Sequence, residues 1–222
     1  VKEAGKVFKV SDDNPVSISG SAGQTYDGKG SIIIAPAGFE IKNSHDIVLT
    51  NLVIVGSVSV KGTASLTFEN VEIVSDATAL TLDAASSEFK MADCRVTGKT
   101  ALALGGNNST VLNSYLSFIE KGVVDTAEEG TTVQHCVLEG SGTAIDSVAS
   151  EAAYKNLTIT MGEEDTGIVL GKGVLNTIAA LNVITGAQKS VSLTETTNTV
   201  VILSSLVSVE ANDNVNLYVC DN

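Results

Sequence analysis

Short stretches of alternating apolar and polar residues recur along the chain, and glycine or other turn-forming residues separate them. Examples are "GFEIKN" (38–43), "SVSVKG" (57–62), "ALTLDA" (79–84) and "ALALGG" (101–106). Alternation with a period of two is typical of β-strands with one buried face. Because none of the repeated segments has helical spacing, the pattern predicts an all-β protein made of many short strands.

A second set of segments follows these strands about ten residues later and shares one small polar position. The segments are "VLTNLVIV" (48–55), "TFENVEIV" (67–74), "KMADCRVT" (90–97), "TVLNSYLS" (110–117), "TTVQHCVL" (131–138) and "AAYKNLTI" (152–159). The shared position is occupied by Asn51, Asn70, Asp93, Ser114, His135 and Asn156, at intervals of 19 to 23 residues. A repeat of this length without helical spacing indicates a β-solenoid.

Each repeat contains three strands, because a strand and a turn precede the shared polar position and another strand follows it. This order predicts a single-stranded parallel β-helix of about nine coils, stacked at the strand spacing of about 4.8 Å. We expect one domain overall, with residues 1–30 as an N-terminal lead-in or cap and residues 31–222 as the β-helix.

The stretch "GQTYDGKGSIIIAPAGFEIKNSHDIVLTNLVI" (23–54) resembles the opening coils of the pectate-lyase-like superfamily. The resemblance extends over the repeats from about residue 23 to residue 219. It implies a right-handed parallel β-helix with a ladder of asparagines at one corner. Since lyases, hydrolases, phage tailspikes and adhesins share this fold, the resemblance implies no particular function.

The shared polar position is interpreted as a one-residue corner between two strands. Such a corner needs a left-handed backbone, which Asn and Asp tolerate best, and His135 takes the place of an asparagine in the ladder. The residue after the corner faces the interior, so His135 and Cys136 point to opposite sides. Cys94 and Cys136 lie two coils apart, about 9–10 Å, which exceeds the reach of a disulfide. Tyr115 is expected between them in the core.

The outward face of the first strand in each coil is where the family resemblance implies a substrate groove. Asp125 and Asp146 are predicted to face outward on adjacent coils. Two stacked carboxylates allow three interpretations: a solvated pair, a Ca²⁺ site, or an acid and a nucleophile about 5 Å apart. We also expect Lys61 to pair with Asp83 on the next coil.

A second acidic cluster lies in the turn "GEEDTG" (162–167), where Glu163, Glu164 and Asp165 are adjacent. Together with backbone carbonyls these residues are candidate Ca²⁺ ligands. The alternative is a solvated acidic loop. The sequence indicates no other cofactor than Ca²⁺.

Composition and charge narrow the range of partners. The net charge is −13, and only one of the 13 basic residues is an arginine, which argues against nucleic acid and against an anionic membrane surface. No apolar run reaches membrane-spanning length. Three cysteines without paired spacing exclude a disulfide-dense scaffold and a zinc site. A polysaccharide remains the partner that the sequence allows.

The motifs of known β-helix enzymes are missing from the sequence. Arg95, the single arginine, lies on the third strand and away from the Asp pair, and there is no G-H-G or R-x-K motif as in polygalacturonases. This argues against an enzyme without excluding one.

The leading hypothesis is therefore a non-catalytic extracellular or cell-surface protein that is structural, adhesive or glycan-binding through the first strands. The alternatives are a divergent polysaccharide lyase or glycoside hydrolase using Asp125 and Asp146, or a phage or virion fibre domain. The last strand, "NVNLYVCDN" (214–222), has no evident capping helix. We therefore expect a homo-oligomer or a piece of a longer chain.

Overall fold

A computed structural model describes residues 4–171, 173–194, 199–203, 209–210 and 215–219. These residues form 23 strands and no helix, and every strand pairing is parallel within one continuous coiled sheet. The strands are β1 (Val7–Lys9), β2 (Val16–Ser19), β3 (Thr25–Ile34), β4 (Phe39–Lys42), β5 (His45–Val55), β6 (Val58–Lys61), β7 (Ala64–Val74), β8 (Thr78–Leu82), β9 (Lys90–Ala92), β10 (Arg95–Leu104), β11 (Thr110–Leu112), β12 (Tyr115–Asp125), β13 (Thr132–Gln134), β14 (Val137–Gly140), β15 (Thr143–Ser147), β16 (Ala153–Lys155), β17 (Thr158–Thr160), β18 (Thr166–Leu170), β19 (Ile178–Thr185), β20 (Lys189–Leu193), β21 (Thr199–Leu203), β22 (Val209–Glu210) and β23 (Val215–Val219). The predicted fold class is confirmed: the chain is an all-β, right-handed parallel β-helix, with about eight turns where about nine were expected.

Three walls surround the interior of the coil. The first wall contains β2, β4, β6, β8, the last residues of β10 and β12, and then β15, β18, β20 and β22. The second wall begins with the first residues of β3, β5 and β7 and continues through β9, β11, β13 and β16 to β19, β21 and β23. The third wall contains β1, the last residues of β3, β5 and β7, the first residues of β10 and β12, and β14, β17 and the end of β19.

The interior is filled by the inward side chains of all three walls. They are mostly Val, Ile, Leu and Ala, as expected for a chain in which aromatic residues make up only 4%. Phe68 and Phe89 form an edge-to-face pair with ring centroids 5.4 Å apart. Each coil buries its apolar side chains mainly against the coils before and after it, so the core is continuous along the axis.

The corner between the second and third walls has the left-handed backbone that the repeat predicts. Asn51, Asn70, Asp93, His135 and Asn156 have φ angles from 51° to 55°. The Asn70 amide donates a 2.8 Å hydrogen bond to Oδ1 of Asn51, and the Asn51 amide donates a 3.2 Å bond to Oδ1 of Asp27. The ladder therefore begins one coil earlier than the repeat, at Asp27.

The prediction that Ser114 is a corner residue is wrong. Asn113, with φ 48°, occupies the corner, and Ser114 is the buried residue that follows it. In "LNSY" both residues are small and polar, but a left-handed backbone favours Asn over Ser. The same one-residue shift moves Tyr115 out of the core, so Ser114 lies between Cys94 and Cys136. One coil beyond Asn156 the corner residue is Leu181, with φ 57°.

The turn between the first and second walls carries a ladder that the sequence analysis missed. Its inward residues have buried hydroxyl groups in most coils: Ser44, Thr63, Ser86, Ser109, Thr131 and Thr177. A backbone N–H of one coil donates to the hydroxyl of the next, as from Ser21 to Ser44, from Thr63 to Ser86 and from Ala152 to Thr177. These hydroxyls accept hydrogen bonds from turn N–H groups that have no acceptor in the strand pairing. The recurring signal is a Ser or Thr directly before β5, β7, β11, β13 and β19.

The first strands of the chain already belong to the coil. β1 pairs with the end of β3, β2 pairs with β4, and β3 runs without interruption from residue 25 to residue 34. The division into a lead-in, residues 1–30, and a β-helix, residues 31–222, stays a prediction.

Candidate functional site

The outward face of the first wall is the surface on which the sequence placed its candidate site. From β4 to β20 its central column, one residue per coil, consists of Glu40, Ser59, Thr81, Ala103, Val124, Asp146, Val169 and Ser192. Ser17 in β2 and Glu210 in β22 are in register with its two ends. Four of the eight side chains from Glu40 to Ser192 are small or hydroxylated. We call this surface the first-wall face.

Glu40 is held in an ion-pair cluster at the N-terminal end of the first-wall face. Lys42 Nζ lies 2.6 Å from Oε2 of Glu40, and Lys61 Nζ lies 3.0 Å from Oε1. The hydrogen bonds from Lys42 and then Lys61 lower the pKa of the Glu40 carboxyl. The expected pair between Lys61 and Asp83 is wrong. Asp83 instead accepts hydrogen bonds from the Gly62 N–H and the Ser86 hydroxyl.

Asp146 faces outward, as predicted. It forms an ion pair with a lysine instead of stacking against a second carboxylate. Lys121 Nζ lies 2.5 Å from its Oδ2. Lys121 is in β12 and Asp146 is in β15, so the pair joins two adjacent coils. The neighbours of Asp146 in the central column are Val124 and Val169, which supply no acid or base.

Asp125 is not on the first-wall face, so the predicted outward stack of Asp125 and Asp146 is wrong. Asp125 pairs in register with Ser147 and is fully buried inside the solenoid. The predicted register is off by one residue here, because Val123 and Asp125 face inward. The roles of Asp125 and Asp146 in catalysis or Ca²⁺ binding stay untested predictions, but the stacking on which both were based does not exist.

The correct register has a signal in the sequence. Lys121-Gly122-Val123 aligns with Thr143-Ala144-Ile145 and with Thr166-Gly167-Ile168. The middle residue of each triplet is small and buried. A Cβ on Gly122 would come within 2.5 Å of the Ala144 carbonyl oxygen, which explains why this column holds only small residues.

Inside the solenoid, Asp125 belongs to a compact polar cluster. Its Oδ2 accepts a 2.6 Å hydrogen bond from the Tyr154 hydroxyl, and its Oδ1 accepts bonds from Thr131 Oγ1 and the Ala127 N–H, both 3.2 Å long. The Tyr154 hydroxyl also lies 2.7 Å from Oγ of Ser147. The cluster satisfies a carboxyl group that would otherwise be alone in an aliphatic core.

Burial raises the pKa of Asp125, although the hydrogen bonds from Tyr154, Ala127 and Thr131 oppose the shift. Burial and the neighbouring Asp125 raise the pKa of Tyr154 well above its ordinary value. Both shifts favour the neutral forms, because no cation within the described residues bonds to this cluster. The arrangement is suited to holding the core together and gives Asp125 no access to a substrate on the surface.

The acidic turn at 163–165 also differs from an open cation site. Asp165 Oδ1 accepts a 2.7 Å hydrogen bond from the Gly142 N–H, and Oδ2 accepts a 2.8 Å bond from the Gly162 N–H. Both carboxylate oxygens therefore close the turn, while Glu163 and Glu164 are exposed. In the described part of the chain no three His, Cys, Asp or Glu residues are grouped to hold a metal ion. Ca²⁺ binding by Asp125, Asp146, Glu163, Glu164 or Asp165 stays a prediction.

His135 and Cys136 do not form a catalytic pair. His135 is exposed at the corner, with its Nε2 3.0 Å from the Gln134 amide nitrogen, whereas Cys136 is 1% exposed. Cys94 and Cys136 are both free thiols, and burial raises the pKa of each to about 11. Cys220 lies outside the described residues.

The outward face of the third wall carries a feature that the sequence analysis did not find. The Arg95 guanidinium lies 4.2 Å from the centre of the Tyr115 ring, and the Tyr115 hydroxyl donates a 2.6 Å hydrogen bond to Glu139. These three residues come from three successive coils. Their contact could have been predicted from the sequence only if the register of all three coils had been known.

Comparisons with known proteins identify the fold. No family model and no curated protein sequence matches the chain. Among solved structures, PfbA, a surface adhesin of Streptococcus pneumoniae, aligns with a TM-score of 0.66 and 12% identity over 98% of this chain and 75% of that one. A tailspike protein of the E. coli bacteriophage HK620 aligns with a TM-score of 0.60 and 8% identity over 89% of this chain and 46% of that one. At these identities the similarity establishes the fold alone.

The described part of the chain contains no helix that is long and apolar enough to cross a membrane.

Proposed function

We propose that this chain is a non-catalytic extracellular or cell-surface β-helix protein that binds a polysaccharide through the first-wall face. The proposal rests chiefly on the arrangement of acids on that face. Between Glu40 and Ser192 the central column holds two carboxylates, Glu40 and Asp146, which are five coils apart and each paired with lysine. Five strand spacings amount to about 24 Å, far more than the roughly 5–10 Å between the two carboxyl groups of a glycosidase.

The remaining chemistry of the first-wall face suits binding better than reaction. Ser59 and Thr81 present hydroxyl groups on adjacent coils, the following Ala103 leaves room beside them, and Ser192 presents a hydroxyl near the other end of the column. Hydroxyl groups spaced along the face offer hydrogen bonds to an extended sugar chain without a strong base. The similarity to a surface adhesin supports an extracellular or surface location for such a protein.

The test is an assay of binding and turnover on a panel of polysaccharides, with and without CaCl₂. We expect binding without release of reducing or unsaturated ends. A bulky charge in the middle of the face, Ala103→Arg, should weaken binding at least tenfold, whereas Thr160→Arg on the third wall should leave it unchanged.

Turnover that is lost in Asp146→Asn would instead establish an enzyme and refute the non-catalytic proposal. Absence of binding to every polysaccharide would refute the glycan-binding part and leave a structural role.

The similarity to a tailspike favours a fibre domain as the second candidate. A fibre requires a defined oligomer, so the molar mass in solution discriminates between the two. Light scattering on a sizing column would give a single oligomeric species for a fibre domain, whereas a monomer that binds polysaccharide would support the first proposal.

A further inference from the structure

A concave groove of about 390 Å³ runs beside the asparagine corner, on the side of the coil formed by the second and third walls. Its polar lining includes Asp27, Asn51, Asn70, Glu72, Asp93 and Arg95. The volume is within the range of about 300–1,000 Å³ that is usual for small-molecule sites. The groove does not include any residue of the first-wall face.

The asparagine ladder stops inside this groove. Asn70 donates to Asn51, and Asn51 donates to Asp27, so each amide hydrogen bond points toward the N-terminal coil. The next residue of the ladder is Asp93, whose ionised carboxyl group has no N–H to donate to Asn70. Within the described residues no donor is bonded to the Asn70 Oδ1 atom or to the Asp93 carboxylate. Two acceptors therefore lie on adjacent coils with no donor between them.

Arg95, a hydrogen-bond donor on the third wall, lines the same groove as these acceptors. Arg95 stacks on the Tyr115 ring, and the Tyr115 hydroxyl is tied to Glu139, so the guanidinium plane is held in place. Among the described residues Arg95 has no ion-pair partner within 4.0 Å. Stacking leaves its N–H edges available to a ligand, because the ring covers only the face of the guanidinium.

The acceptors and the donor that line the groove indicate which class of ligand fits it. A hydroxyl group both donates and accepts, so neighbouring hydroxyls of a sugar ring can donate to Asp93 and Asn70 while accepting from Arg95. Asp27, Glu72 and Asp93 outnumber Lys29 and Arg95, which disfavours an anionic sugar. Arg95 disfavours a cation, and the described residues contain no group of three acidic or other metal-binding side chains.

We propose that this groove binds a neutral saccharide through adjacent hydroxyl groups, at a site separate from the first-wall face. Asp93 and Asn70 accept from the sugar, Arg95 donates to it, and Tyr115 positions Arg95. On the N-terminal side the Asn51–Asp27 hydrogen bond orients Asn51, which in turn fixes the orientation of the Asn70 amide.

Saturation-transfer NMR with methyl glycosides of glucose, galactose and mannose tests the proposal, with sodium galacturonate and CaCl₂ as the competing probes. We expect transfer to at least one neutral glycoside. Arg95→Ala should weaken that binding about tenfold or more, the loss expected for a hydrogen bond to a charged group. Asp93→Asn should do the same, because the amide it introduces can donate to Asn70 and complete the ladder.

Two variants separate this site from the rest of the surface. Ala103→Arg on the first-wall face and Val183→Arg, an exposed position near the C-terminal end of the third wall, should leave glycoside binding unchanged, so failure of the first-wall proposal and failure of this one are distinguishable. The proposal is overturned if no neutral glycoside receives transfer, or if Arg95→Ala and Asp93→Asn give the same transfer as the wild type. It is also overturned if only galacturonate receives transfer, or if transfer to the glycosides requires CaCl₂.

Discussion

Tyr154 donates a 2.6 Å hydrogen bond to Asp125 inside the solenoid, in a core that is otherwise almost entirely aliphatic. In the first-wall column that contains Asp125, the neighbouring coils carry Leu104 before it and Ser147 and Leu170 after it. The polar cluster thus occupies two adjacent coils of an aliphatic column. Its hydrogen bonds reach across to Tyr154 in the second wall and to Thr131 in the turn before that wall.

The first prediction concerns Asp125→Asn and pH. Because burial raises the folded-state pKa of Asp125, its contribution to stability is fully present below the unfolded value of about 3.8 and is lost as the pH rises through the folded pKa. An amide at this position can accept from Ala127 and Thr131 and donate to Tyr154 without any charge. At pH 7 we expect Asp125→Asn to melt about 2–4 °C above the wild type, as for a gain of about 1 kcal/mol. Thermal denaturation between pH 3 and pH 8 measures the difference.

At pH 3 to 3.5 the advantage of Asp125→Asn should vanish, since the wild-type carboxyl is then neutral. Asp146→Asn, which changes an outward carboxylate, is the matched control. If Asp125→Asn lowered the melting temperature equally at every pH, a neutral Asp125 would not be the form that the fold prefers.

The second prediction concerns the hydroxyl of Tyr154. Tyr154→Phe keeps the ring but leaves Asp125 Oδ2 and Ser147 Oγ without their partner. We expect a loss of about 1–3 kcal/mol in the free energy of unfolding, measured by urea denaturation. Tyr115→Phe, which removes a hydroxyl on the surface, should cost less than about 0.5 kcal/mol.

A double-mutant cycle of Tyr154→Phe with Asp125→Leu isolates the bond itself. Asp125→Leu restores the aliphatic column, so adding Tyr154→Phe to it should cost less than in the wild type, by about 1 kcal/mol. Additive effects of the two substitutions would show that Tyr154 acts by packing alone.

The third prediction concerns the corner at Leu181. A leucine with φ 57° and 53% exposure is strained and also contributes little to the core. Asn in this position relieves a left-handed strain of about 1–2 kcal/mol, so Leu181→Asn should raise the melting temperature by about 2–4 °C. The reverse change one coil earlier, Asn156→Leu, should lower it by a similar amount. Equal melting temperatures for all three proteins would mean that corner strain is absorbed elsewhere.

The fourth prediction concerns the two buried thiols. Burial raises the pKa of Cys94 and Cys136 to about 11, so only about one thiol in a thousand is ionised at pH 8. In the folded protein we expect iodoacetamide to leave both residues unmodified, whereas guanidinium chloride should expose them to complete reaction. Peptide mass spectrometry separates the two sites from Cys220. Rapid labelling of Cys136 in the folded state would contradict its placement in the core.

The sequence was sufficient for the architecture because a solenoid repeats its pattern of strands and corners. Asn51, Asn70 and Asp93 could be aligned without a structure, since a left-handed corner restricts the residue type. The alignment slipped by one residue at Asn113 and Ser114, where both are small and polar. A one-residue slip exchanges the two faces of a strand, and a similar error at "VVDTA" turned a buried Asp125 into a surface carboxylate.

The candidate sites were harder to predict for a physical reason. A side chain in a solenoid meets residues about one repeat away, and that separation varies from 16 to 25 residues between the described strands. Arg95 with Tyr115, and Glu40 with Lys61, depend on the register of each intervening turn. The paired aspartates failed for this reason, and the groove beside the asparagine corner could not be found from spacing alone.

The buried hydroxyl ladder gives the coil a direction. The Thr63 N–H donates to Ser86 in the following coil, and the Ala152 N–H donates to Thr177 in the same sense. At this turn each coil thus depends on its successor for an acceptor. The following coil depends on its predecessor in return, since the Ala64 N–H donates to the Ser44 carbonyl and the Ala153 N–H donates to the Thr131 carbonyl. Loss of a coil from either end therefore uncovers a buried donor in the coil that remains, so each coil is protected by both of its neighbours.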